Sequence, residues 1–160
     1  MRTAHLRLPV TAEDLAPLEP GTAVWLDGVV FTAREGVYER AIAQGVALPD
    51  GLTDLTNVNF HCSPAATPHP DGSFTVGAVT ATASFRFSKW LARWFALTGT
   101  KVIIGKGGMA PEDYREHFVP NGAVYLTTVG YGTGALLGRG IRRVRDVHWL
   151  AELGIAQAIW

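Results

Sequence analysis

The sequence predicts a single α/β domain on three observations. β-rich apolar runs alternate with helical segments along the chain, several of the runs end in glycine-bearing junctions, and no repeat, charge block or low-complexity linker interrupts them. The length agrees: 160 residues, 48% of them hydrophobic, supply one proper core and too little chain for two. One domain over 1–160 is therefore expected.

The elements follow in order. Leu6, Leu8 and Val10 alternate as an edge strand, and Thr11 is a candidate N-cap for a short turn that stops before Pro17. Thr22 to Thr32 is β-rich with one glycine break, and it hands over at Thr32-Ala33-Arg34 to a helical segment that runs to about Gln44, where Gly45 stops it. Val58 to Cys62 reads as a short strand, and Pro64, Pro68, His69, Pro70, Asp71 and Gly72 read as a loop. Phe74 to Val79 reads as a strand. Phe87, Trp90, Leu91 and Trp94 then fall at i, i+3, i+4 and i+7, which makes one apolar helix face for the core. Lys101 to Gly105 is a β-branched strand ending in Gly105-Lys106-Gly107-Gly108, and Pro111 opens a helix at its first turn. Val124 to Val129 is another strand, and Gly130-Tyr131-Gly132-Thr133-Gly134 leads into a small-residue helix. Val144, Val147 and Trp149 read as strand-like, as does the final Ala-Ile-Trp.

Composition excludes several classes. Fourteen basic residues balance fourteen acidic ones, so no global field draws nucleic acid or an anionic membrane, and any bound anion must be held by local charge. Cys62 is the only cysteine, which rules out an internal disulfide or a conventional iron–sulfur cluster on this chain alone and suits a reducing compartment. Met1 to Val10 carries two arginines and no long apolar run, which reads as neither signal peptide nor membrane anchor; a cytoplasmic protein is expected.

Three basic residues stand at strand-to-helix or strand-to-loop junctions: Arg34, Arg86 and Lys106. The carboxyl ends of strands are where α/β domains gather ligands, and two arginine forks with a lysine point charge suit a dicarboxylate. Each alone is equally at home as a surface charge. Thr80-Ala81-Thr82-Ala83-Ser84 offers hydroxyls just before Arg86; helix capping is their routine use, and proton abstraction requires a hydroxyl that is ionised or coupled to another group. Gly105-Lys106-Gly107-Gly108 lacks the spacing and the Ser or Thr of a P-loop. His61 beside Cys62 has no metal-ligand spacing around it, and the basic cluster Arg139, Arg142, Arg143 and Arg145 fits a solvated face or a subunit contact.

These junctions carry a family resemblance. Thr32-Ala33-Arg34-Glu35 is similar to the Thr-Ala-Arg-Asp near the start of class I fumarase and L-tartrate dehydratase β domains. His61-Cys62-Ser63-Pro64 stands where the family has a segment ending Gly-Pro, and Thr80 to Ser88 stands where it has Gly-Pro-Thr-Thr-Ser-Gly-Arg-Met-Asp. Ile103-Ile104-Gly105-Lys106-Gly107 is similar to Ile-Gly-Lys-Gly. Gly130 to Leu137 resembles a Gly-Gly-Ala-Ala helix start, and the stretch through Glu152-Leu153-Gly154 to Trp160 resembles Glu-Leu-Gly-Met-Glu-Ala-Trp.

The resemblance implies a single swivelling β/β/α domain of the iron–sulfur hydro-lyase β-subunit type. Such a domain closes over an α subunit, in a heterodimer or heterotetramer, whose 4Fe–4S cluster acts as Lewis acid; no cofactor, metal, nucleic acid or membrane is expected on this chain itself. By motif position Arg34, Arg86 and Lys106 would bind the carboxylates of a small hydroxy-dicarboxylate such as fumarate, malate or tartrate, and Thr82 would be the base that removes the C–H proton. The departures are Thr80, Ala81, Ala83, Phe85 and Ser88 in the central motif, Glu35 for Asp, and Tyr38 where fumarases usually carry His. They leave the charges in place while altering the walls, which points to changed substrate choice. A repurposed cluster-free lyase, isomerase or cyclase and a non-catalytic binding module stay open as alternatives.

Overall fold

The computed structural model describes residues 1–128, 130 and 132–160. β1 (Thr3–Arg7) pairs in parallel with β2 (Ala23–Asp27), and α1 (Ala12–Leu15) lies between them in sequence. Thr11 caps α1 as expected: its side chain accepts from the Asp14 N–H, and the Asp14 carboxylate accepts from the Thr11 N–H at 2.8 Å. Leu6, Val10 and Leu15 cover Val58, Val102 and Ile104, so this layer closes one face of the sheet that follows.

That sheet starts with β3 (Phe31–Thr32). α2 (Glu35–Tyr38) continues into a wider turn over Glu39–Ala43, and Gly45, at φ +68°, ends it. After α3 (Leu52–Leu55) comes β4 (Val58–Phe60). β5 (Cys62–Pro68) and β6 (Phe74–Ala81) then form an antiparallel hairpin with an irregularity between Ala65 and Ala66. The loop expected from Pro64 onward is thus half strand. Both strands of a two-stranded sheet are edges, where a proline without an N–H is tolerated, and only His69 to Gly72 makes the turn.

A 3-10 turn over Ser84–Trp90 runs into α4 (Leu91–Thr98), closed by Gly99 in the left-handed region. Phe87, Leu91 and Trp94 of the predicted apolar face are fully buried, and Phe87 and Trp94 pack with Phe31, Val37, Tyr38 and Ile159. β7 (Val102–Gly105) is buried at every residue, as a strand covered on both faces must be. Pro111 opens α5 (Pro111–Asp113), which continues over Tyr114–Phe118. β8 (Val124–Thr127) completes a parallel four-stranded sheet in the order β3-β4-β7-β8. The expected strand end at Val129, and Tyr131 in the glycine-rich lead-in, lie outside the described residues.

α6 (Gly134–Arg139) lies on β6; Cβ atoms at Gly134 and Gly138 would sit 2.8 and 2.6 Å from the carbonyl oxygens of Val79 and Gly77. The strand expected over Val144 to Trp149 does not form. Only His148 finds a bridge, to Ile159, and Trp149, at φ +60°, turns the chain into α7 (Leu150–Leu153). A β-branched pattern without a partner strand leaves its backbone groups unpaired, so the segment stays irregular. The final residues do return to the sheet, since the Trp160 carbonyl accepts from the Thr32 N–H at 3.0 Å.

Candidate active site

At its carboxyl end the parallel sheet forks. β4 and β7 pair through Phe60 and Ile104, and the His61 N–H still reaches the Ile104 carbonyl at 2.8 Å. Beyond that point the end of β6 wedges between them: the Thr82 N–H donates to the His61 carbonyl at 2.6 Å, the Lys106 N–H to the Thr82 carbonyl at 3.2 Å, and the Ser84 N–H to the Lys106 carbonyl at 3.2 Å. Thr82 and Lys106 are neighbours for that reason. Both follow the last residue of a strand by one position, the arrangement that opens a crevice in α/β sheets.

Arg34 follows β3 by two residues and stands at the mouth of α2. Its terminal nitrogen donates to the Ser63 hydroxyl and, at 3.4 Å, to the Ala156 carbonyl, while its buried Nε has no hydrogen-bond partner. Burial lowers the Arg34 pKa, and the charge of Arg86 nearby lowers it further. Two guanidinium groups thus repel across the site. Among the described residues neither of them, nor Lys106, enters an ion pair, so an anion would relieve that repulsion. Arg86 is exposed and Lys106 half-buried; Lys106 edges a cavity of about 120 Å³ with Gly107, Thr127, Thr128 and Gly130.

The capping reading of Thr82 is not what the structure contains. Ala83 precedes the 3-10 turn, no side chain caps it, and Thr82 itself is buried at 8% exposure beside the fork. Phe85, where the family has glycine, is 61% exposed. Ser88 stands in the place of the family's acid, yet its hydroxyl donates to the buried carboxylate of Asp113, so an acid reaches that spot from α5.

Beneath the fork runs a chain of buried polar groups. Asn59 Nδ2 donates to the Tyr38 hydroxyl at 2.9 Å, Tyr38 meets His61 Nε2 at 2.6 Å, His61 Nδ1 meets Ser84 Oγ at 2.8 Å, and the Tyr125 hydroxyl donates to Ser84 Oγ at 2.9 Å. Burial pulls the His61 pKa down to about 3, pushes the Tyr38 phenol up, and raises that of Tyr125. His61 is therefore a neutral buried ring with both nitrogens engaged, and the buried Cys62 thiol beside it has its pKa pushed up by burial.

A family model described as "Fumarase C-terminus" matches residues 1–160. The chain belongs to the fumarase C-terminus family. It is similar to a putative L(+)-tartrate dehydratase subunit beta of Methanocaldococcus jannaschii, 32% identical over 94% of this chain and 76% of that protein. It is likewise similar to the L(+)-tartrate dehydratase subunit beta of Escherichia coli K12, 27% identical over 97% of this chain and 74% of that one. A putative fumarate hydratase class I of Geobacillus stearothermophilus is 28% identical over 99% of this chain, which spans 30% of its length. Among the described residues of this member of the fumarase C-terminus family, no group of three or more His, Cys, Asp or Glu is placed to hold a metal ion. Nor is any helix among them long and apolar enough to cross a membrane.

Sequence reasoning named Arg34, Thr82, Arg86 and Lys106, and the fold brings Thr82 beside Lys106 and Arg86 within electrostatic reach of Arg34. It offered Ser84 only as one of several hydroxyls before Arg86, and it gave no role to Ser63, Asp113 or Tyr125. One signal for Ser84 was present in Gly105, where a Cβ would collide with the Ser84 hydroxyl and lie 2.8 Å from that of Tyr125.

Proposed function

We propose that the chain is the β subunit of an iron–sulfur hydro-lyase that adds or removes water on a small hydroxy-dicarboxylate of the fumarate, malate or tartrate kind. The observation that supports this reading is a pair of contacts at the forked sheet end, Thr82 bonded to Lys106 and Arg34 within electrostatic reach of Arg86, with none of the three cations in an ion pair among the described residues. The names of the relatives, two of them β subunits of a tartrate dehydratase, support it.

In this proposal the single domain belongs to a cytoplasmic complex with an α subunit that bears a 4Fe–4S cluster. Such a cluster, held outside this chain, would supply Lewis-acid chemistry for the loss of the hydroxyl as water. This chain's own residues do the rest. Arg34 and Arg86 pair with the carboxylates through parallel hydrogen bonds, Lys106 adds a point charge, and Thr82 takes the C–H proton once its hydroxyl is coupled to a neighbouring acceptor.

The test is co-expression with the α subunit under anaerobic conditions, followed by fumarate, malate and tartrate assays. Arg86→Ala is expected to lower kcat/KM by a factor of about 100 or more, the scale of a lost charge-assisted bond to substrate. Thr82→Val is expected to abolish most of kcat with little change in KM. Full turnover by both variants would remove the two residues from the reaction, and activity of the iron-free chain alone would replace this reading with that of a cluster-free enzyme.

A further inference from the structure

We infer that Ser84 is a positioning residue, a buried pin that sets Thr82 and Arg86 relative to Lys106, and that His61 orients it. The inference rests on the hydro-lyase reading and extends it to residues that touch no substrate. Ser84 lies two positions after Thr82 and two before Arg86, and it is fully buried between exposed or half-buried neighbours. Its N–H ties to Lys106, and its hydroxyl is the meeting point of two side chains, His61 from the end of β4 and Tyr125 from β8, packed against the bare Cα of Gly105 in β7.

His61 joins the two ends of the chain: its Nε2 meets the Tyr38 hydroxyl, which also receives a bond from Asn59, and its Nδ1 meets Ser84, so one neutral ring couples both hydroxyls with either nitrogen protonated. The Tyr125 hydroxyl donates to the same Ser84 oxygen, so two partners hold that oxygen in a single place. Such an arrangement costs a buried polar network, and the mechanism itself uses none of it. What it does is lock the turn on which the base and one arginine of the clamp are both mounted.

The experiment uses the assembled complex with its α subunit, assayed well below its melting temperature. Ser84→Ala is expected to lower kcat about 10- to 100-fold, with a smaller rise in KM, in line with lost support of reacting groups. His61→Asn places an amide where Nδ1 was and keeps the bond to Ser84, so it should retain most of the turnover. His61→Gln reaches toward Tyr38 instead and should behave like Ser84→Ala. A destabilised Ser84→Ala that keeps wild-type kcat and KM, or equal activity in the two His61 variants, would overturn the inference. If the wild-type complex turns over no hydroxy-dicarboxylate, the hydro-lyase reading fails, and amide exchange in the same samples decides the pin: exchange at Thr82 and Lys106 about tenfold faster in Ser84→Ala supports it, and unchanged exchange overturns it.

Discussion

His61 gives the folded chain a pH dependence of its own. Its ring titrates at about 3 in the fold against 6.5 in the unfolded chain, so between those values the unfolded chain binds a proton that the fold refuses. Stability from this residue is complete above pH 6.5 and falls as the pH drops, by about 1.4 kcal/mol per unit. Urea unfolding at pH 6.5 and pH 5 should differ by about 2 kcal/mol from this source, and His61→Asn should flatten that slope. An equal slope in the variant would show that other groups set it. At this scale the charged candidates were legible, because Arg34, Arg86 and Lys106 each stand where an apolar run stops, a local feature of the string. Ser84 was not. Its importance comes from Tyr125, 41 residues away, and from a hydrogen that Gly105 presents in place of a side chain.

The elements obey the same division. The stripe Phe87, Leu91 and Trp94 was readable because helical periodicity is local, even though its first turn is 3-10. The hairpin was not, since prolines at 64 and 68 look like punctuation until a partner strand is known to lie on one side only. α6 offers the element-scale test. Gly134 and Gly138 let the helix rest directly on the carbonyls of β6. Gly138→Ala should push α6 off the hairpin and cost about 1–3 kcal/mol, more than the gain in helix propensity returns. A variant that melts at or above the wild-type temperature would show that the contact is looser than this geometry.

For the whole molecule the consequence is an open site. Arg86 is exposed and Lys106 edges a cavity of about 120 Å³, so the chain alone meets a dicarboxylate largely in water, where charge pairs are weak and screened. Calorimetric titration of the isolated chain with L-malate should give a Kd of about 1 mM or weaker, worsening with salt. The α subunit should tighten it at least tenfold by excluding water, an effect of about 1.4 kcal/mol or more. Micromolar binding by the chain alone would mean that the site is complete without a partner. The α/β class was visible from the alternation of runs, whereas the wedge of β6 into the sheet was not, because nothing local announces which strand ends will part.

The clasp around Arg34 bears on how the molecule comes into being. Arg34 and Ser63 both bond the Ala156 carbonyl, Gly36 bonds Gln157, and Thr32 bonds Ala158 and Trp160, contacts that span 93 to 128 residues. A ribosome delivers the arginine well before residues 156–160 that clasp it. The candidate anion site therefore matures only after those residues have left the exit tunnel, and these long-range closures place it late in folding. A stalled or clipped chain would carry all of its candidate catalytic side chains and still lack the socket that holds the first of them.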